Sequence, residues 1–173
     1  MRERAEPSPS SELAASPGFT ADGFRLRELH PVAKVQIQTF PGRPRLLALE
    51  GEDPLFLVRG PHEWLAYSCT QTPSALLVCL REHFGDEDLI YTNVSGAFVV
   101  IEASGARVID ILMRTCTLDL EGNALPKMAA TTTALAHVTV LLHRMADATV
   151  WRIFAERSCA HHLWDWLIDS AGR

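Results

Sequence analysis

The residues of this chain best suited to chemistry crowd into its closing stretch, AERSCAHHLWDWLIDSAGR, where Cys159, His161, His162 and Asp165 fall on one short predicted helix. A cysteine near a helix start can be held as a thiolate. His161, however, stands two residues on, and helical residues two apart point in different directions, so the two do not form a nucleophile–base pair. His161 and Asp165, four apart, could offer two metal ligands, whereas a stable site needs three or four. His137 and His143 read as one face of a strand but lie roughly 20 Å apart at strand rise, too far to share an ion. Cys69, Cys79, Cys116 and Cys159 are scattered without a C-x-x-C spacing. They are expected as reduced thiols, two of them acting as small buried hydrophobes. The acidic stretches EGED and FGDEDL read as solvated turns, and so do NVSGA and EASGA. The chain contains no G-x-G-x-x-G, no G-x-x-x-x-G-K-[ST] and no G-x-S-x-G, the loops that cradle phosphates or raise a serine nucleophile. The residues therefore predict no catalytic, cofactor-binding or metal-binding side chain, and a chain that is not an enzyme by itself.

Composition narrows the class further. With 47% hydrophobic residues over 173 positions the chain can bury a single core. A net charge of −5 argues against a nucleic-acid or anionic-membrane partner, which needs a basic footprint. No apolar run is long enough to cross a bilayer. The opening MRERAEPSPSSELAASPGFT lacks the apolar region of a secretory signal, so a cytoplasmic location is expected.

Residues 1–23, rich in Pro, Ser, Ala and Glu, read as a mobile tail, and 24–173 as a single α+β domain. Alternation at Val35, Ile37 and Thr39 predicts a strand. LLALE and LFLV are short apolar strands, and Trp64 to Ser68 is another. TPSALLVCLREHF predicts a helix, with Thr72 as its cap, Pro73 at its first position and Gly85 ending it. LIYTNVSGAFVVIEAS reads as strand, turn, strand. GARVIDILMRTC reads as a second helix capped by Ser104, with Val108, Ile109, Leu112 and Met113 as its stripe. ATTTALAHVTVLLHRM reads as one long strand with Leu135, His137, Thr139, Leu141 and His143 on one side, and VWRIFAE returns as its antiparallel partner. The mixture predicts mainly antiparallel sheet with about three helices packed on one face.

On a helical wheel Ala160, Leu163, Trp164 and Leu167 make one stripe, while Trp166 and Ile168 widen the apolar arc to about 200°. One sheet face cannot cover that arc. Either another element of this chain packs over Trp166 or a partner protein does, and the partner, at whose interfaces aromatics are enriched, is the favoured reading. The histidines fall at the polar edge and need no ligand role.

Taken together, GPHEWLAYS, YTNVSGAFVVIEASGARVIDILMRTCTLDL, LAHVTVLLHR and AERSCAHHLWDWLIDSA resemble the gamma subunit of heterotetrameric sarcosine oxidase. More distantly, the pattern is similar to the folate-binding domain of the glycine-cleavage aminomethyltransferase. The chain departs from the family between CTLDL and LAHV, where Leu125 and Met128 stand in a segment that usually carries an aromatic and a glycine. The resemblance implies a non-catalytic subunit in a complex with alpha, beta and delta partners. That complex demethylates sarcosine to glycine and passes the one-carbon unit to tetrahydrofolate, or releases formaldehyde, with hydrogen peroxide formed from oxygen. FAD, FMN, NAD, tetrahydrofolate and zinc are expected on the partner subunits and none on this chain. The residues singled out as interface anchors or turn-defining positions are Trp64, Asn93, Ser95, Gly96, Asp119, Trp151, Trp164 and Trp166; of the tryptophans, Trp64, Trp151 and Trp164 also fit a plain core role, and Trp166 is the one read as interface. The alternatives are a stand-alone folate-binding or one-carbon transfer domain, or the equivalent subunit of another N-methyl amine oxidase or dehydrogenase, such as N-methylglutamate dehydrogenase.

Overall fold

The structure, a computed structural model, describes residues 11, 13, 18–40, 53–85, 88–120 and 125–172. Among these, ten strands pair into two sheets, every pairing antiparallel. The strands are β1 (Phe19–Ala21), β2 (Phe24–Glu28), β3 (Ala33–Thr39), β4 (Leu55–Gly60), β5 (Glu63–Ser68), β6 (Leu89–Asn93), β7 (Phe98–Ser104), β8 (Ala130–Leu135), β9 (Val138–Arg144) and β10 (Val150–Glu156). A six-stranded sheet runs β1-β2-β7-β10-β9-β8, and a four-stranded sheet runs β4-β5-β3-β6. The helices are α1 (Pro73–Phe84), α2 (Val108–Met113) and α3 (Ala160–Ala171).

Side-chain parity turns these sheets into layers, because successive strand residues point to opposite faces. On the six-stranded sheet Val99, Ile101, Ala103, Trp151, Ile153, Val140 and Leu142 face α2 and α3, and bury Leu163, Trp164 and Leu167 with them. On the four-stranded sheet Val35, Ile37, Trp64 and Ala66 face α1 through Leu76 and Leu80. The opposite faces of the two sheets stack on each other around Leu57, Leu65, Tyr67, Val100, Leu141 and Phe154. The order is helix, sheet, sheet, helix. The three helices therefore divide between two outer faces, each sheet carrying helices on one face only.

Local signals explain the element ends. Thr72 Oγ1 accepts a hydrogen bond from Ala75 N at 3.2 Å, and Gly85, at φ 77°, donates its N–H to Arg81 O. Thr72→Ala is expected to lower stability by about 1 kcal/mol in chemical denaturation, with the fold intact. At the end of β7, Gly105 has φ +118°, and a Cβ there would sit 2.3 Å from the Gly23 carbonyl oxygen. The chain can cross the β1–β2 turn so closely only without a side chain.

Four expectations need correction. The long strand over 130–145 is a hairpin: Ala136 and His137 both have positive φ and form a two-residue turn between β8 and β9. This turn moves the inward set by one position, so Leu135 joins Val138, Val140 and Leu142 on the α2/α3 side, away from Leu141. Ser104 does not cap α2, which starts at Val108 with no side-chain cap; Ile111 also belongs to its buried stripe. Residues 19–21, placed in the tail, pair as β1 with β2, and Leu13 is buried in the main core. The cysteines expected as buried hydrophobes are not fully buried: all four are free, Cys69 exposed and the others half-buried. The strand read at LLALE lies outside the described residues, as do parts of EGED and FGDEDL.

Candidate functional site

The layer between the sheets is stratified along the strands. Paired residues in an antiparallel ladder share a face, and Phe154 pairs with Val100 and Leu141, while Arg152 pairs with Glu102 and His143. An apolar rung thus lies beside a charged rung. Beyond the apolar rung, at the end marked by Glu156, the sheets leave an open cleft.

At the charged end Glu102, almost fully buried, takes Arg27 on Oε1 (Nε at 2.7 Å) and Arg152 Nε on Oε2 at 3.3 Å. Arg152 Nη1 donates to Tyr67 Oη at 2.9 Å, across from one sheet to the other. Tyr67 Oη lies 3.0 Å from His143 Nδ1. Burial pushes the Tyr67 phenol well above its usual range, so it stays protonated. Burial, aided by the Arg152 charge, pushes His143 down to about 4. Tyr67 Oη and neutral His143 Nδ1 therefore share one hydrogen bond, whose direction is set by the imidazole tautomer. Lys34, beside this layer, is 4% exposed and donates to Val32 O at 3.0 Å. Burial pulls it down to about 8 against the opposing pull of Glu28 and Cys69.

Both depressed groups bind fewer protons folded than unfolded. Stability is expected to rise with pH across the window between folded and unfolded values: about 4 to 6.5 for His143 and about 8 to 10.5 for Lys34. Urea midpoints measured against pH test this, and Lys34→Met should flatten the upper window. A slope from pH 8 to 10.5 that Lys34→Met leaves unchanged would show that Lys34 is hydrated in solution, since the raised Cys69 thiol and Tyr67 phenol pull stability the other way in both proteins.

The cleft at the other end has a volume of about 280 Å³. Leu65, Leu141 and Phe154 floor it, Thr132, Thr139 and Phe98 wall it, and Arg59, His137, Glu156 and Cys159 ring its mouth. Arg59 Nη1 is paired with Glu63 Oε1 at 2.8 Å, and its guanidinium lies 5.4 Å from the Phe98 ring centroid.

The residues singled out from sequence do not form one constellation. Trp64 is buried under α1, and Trp151 and Trp164 lie in the α2/α3 core. Trp166 and Ile168 are half-buried and pack against that same core, so α3 covers part of its wide arc within the chain. Asn93 Oδ1 accepts from Ser95 N at 3.0 Å. Ser95 Oγ accepts from Lys34 N at 2.9 Å, which ties the β6–β7 turn to β3. Gly96 is exposed in that turn, and Asp119 is exposed beside buried Leu120. His161 is exposed, while His162 Nε2 donates to Ala136 O and braces the β8–β9 turn. Cys159 lies in the single 3-10 turn before α3, far enough along the fold to line the cleft. Sequence reasoning missed Glu102, Arg152, Tyr67, Lys34 and Arg59. One signal was available: Glu102 in FVVIEAS, Arg152 in VWRIFAE and His143 in VTVLLHR each interrupt an otherwise apolar strand. Among the described residues no three His, Cys, Asp or Glu side chains group as metal ligands, and no helix is long and apolar enough to cross a membrane.

Comparison with known proteins adds an independent line. The sarcosine oxidase subunit gamma of Corynebacterium sp. (strain P-1) is 30% identical over an aligned length of 184 residues, spanning 94% of this chain and 88% of the relative. That of Arthrobacter sp. is 29% identical over the same shares. A chain of the heterotetrameric sarcosine oxidase from Corynebacterium sp. U-96, solved in complex with pyrrole 2-carboxylate, superposes with a TM-score of 0.78 at 26% identity, over 98% of this chain and 96% of that chain. Aminomethyltransferase T of the glycine cleavage system from Bartonella henselae superposes with a TM-score of 0.59 at 14% identity, over 86% of this chain and 46% of that chain, a likeness of fold. The sequence model of the sarcosine oxidase, gamma subunit family matches residues 40–173, and the chain belongs to that family.

Proposed function

We propose that this chain is a non-catalytic assembly subunit of a heterotetrameric flavin-dependent sarcosine oxidase. The observation that carries this reading is end-to-end likeness: 98% of this chain superposes on 96% of a chain taken from such a heterotetramer. On this reading the complex converts sarcosine to glycine and hands the one-carbon unit to tetrahydrofolate. FAD, FMN, NAD, tetrahydrofolate and zinc then belong to the alpha, beta and delta partners, and the complex works in the cytoplasm.

Trp166 is the proposed interface anchor. It stays half-buried on α3, next to half-buried Ile168, after the chain's own core has formed. Interface aromatics that desolvate fully cost about 2 kcal/mol or more on truncation. Trp166→Ala is expected to weaken assembly about 30-fold, since ~2 kcal/mol is roughly that factor, and to cost the isolated subunit less than this, because only part of the ring packs on its own core.

The test is co-expression with neighbouring subunit genes and a tagged pull-down of this chain, followed by an absorption spectrum and turnover of N-methyl amines. Large subunits and a flavin spectrum on the tag are expected, with sarcosine as the preferred amine. A colourless chain that elutes alone would overturn the assembly reading. Preference for another N-methyl amine would move the assignment to a related oxidase or dehydrogenase.

A further inference from the structure

We propose that the cleft between the two sheets is a binding site for a small organic ammonium with an apolar or aromatic body. The cleft is separate from the charged rung and serves no step of the assembly reading. Its volume of about 280 Å³ is close to the lower end for small-molecule pockets. Its floor is buried and apolar: Leu65, Leu141 and Phe154 are each at most 6% exposed. A ligand body seated there displaces water from hydrocarbon and from the Phe154 and Phe98 rings.

The mouth sets the sign of the charge. Arg59 is neutralised by Glu63 at 2.8 Å and its guanidinium lies over the Phe98 ring. Glu156 has no ion-pair partner among the described residues. The carboxylate is exposed, and it projects from the same face of β10 as Phe154. The uncompensated charge at the rim is therefore negative. A cation whose apolar body points down to Phe154 can meet Glu156 at the opening. An anion of the same shape would meet repulsion from Glu156, with Arg59 already engaged.

Cys159, half-buried at the cleft mouth, provides a reporter at the site, and exposed Cys69 lies outside it. The experiment is iodoacetamide alkylation of the full-length protein with 2-phenylethylamine as probe, read by peptide mass spectrometry. Saturable protection of Cys159 is expected, with Cys69 unchanged. 2-Phenylethanol should require several-fold higher concentration, and phenylacetate about tenfold or more, in keeping with one exposed charge interaction changing sign. Glu156→Gln should bring the amine and the alcohol level. Thr139→Trp, at an exposed position on the cleft wall, should abolish protection by all three. Absence of saturable protection by the amine overturns the proposal. So does phenylacetate protecting as well as the amine, or protection that survives Thr139→Trp. The readout is local to this chain, so its failure leaves the assembly reading untouched.

Discussion

Glu102→Gln is expected to lower stability by about 3–5 kcal/mol, the scale for leaving a buried charge without its partner. The carboxylate serves two guanidinium groups with different surroundings. The Arg27 side chain is 59% exposed and can be hydrated after the change. The Arg152 side chain is 17% exposed, lies between the sheets, and would keep the Tyr67 hydroxyl as its hydrogen-bond partner. The loss should therefore come through Arg152. Urea denaturation of Glu102→Gln, Arg152→Met and the double variant separates the terms. The double variant should recover a large part of the single loss, because it removes the orphaned charge. A Glu102→Gln cost below about 1 kcal/mol would mean that water enters the layer and takes over the carboxylate's role.

Gly105→Ala is the second large effect, with an expected cost of at least about 3 kcal/mol. Two independent penalties meet at this position. The backbone φ of +118° is one that side chains rarely adopt, and the added carbon would lie 2.3 Å from the Gly23 carbonyl oxygen. That oxygen also accepts Arg107 N at 3.0 Å, just before α2 begins. Relief of the clash therefore disturbs the β1–β2 turn and the start of α2 together. A control at Gly85, where nothing lies within 4 Å of an added Cβ although φ is +77°, isolates the conformational part. Gly85→Ala should cost about 1 kcal/mol. Equal losses at the two positions would show that the Gly23 contact is slack.

Much of this architecture could be read from local pattern. Helix α1 announced itself through Thr72, Pro73 and Gly85, and β10 through its alternation. The β8–β9 hairpin was hidden because Ala136-His137 carries none of the Gly or Asn usual at positive φ. The apolar residues continued across the turn, and only their parity changed. The charged rung was hidden for another reason. Glu102 meets Arg27 from 75 residues away and Arg152 from 50, and Tyr67 meets His143 from 76. Each charged residue looked like an exposed position on a half-buried strand, because a single strand does not say that a second sheet lies over its polar face. The wide apolar arc of α3 was legible, yet part of it is met by the chain's own α2/α3 core rather than left bare.

The position of β10 bears on how the protein emerges from the ribosome. β10 is last of the strands in the sequence but lies between β7 and β9 in the six-stranded sheet. Until residue 156 has been synthesised, β7 and β9 have no common neighbour and each exposes a pairing edge. At about 5–20 residues per second, the β7 edge waits roughly 3–10 seconds for closure and the β9 edge about 1–2 seconds. Non-local pairing of this kind folds slowly and leaves hydrophobic strands open to wrong partners. Nascent chains stalled before β10 should therefore bind chaperones and resist compaction, and full-length chains, with β10 paired and α3 seated on the sheet, should collapse and resist proteolysis.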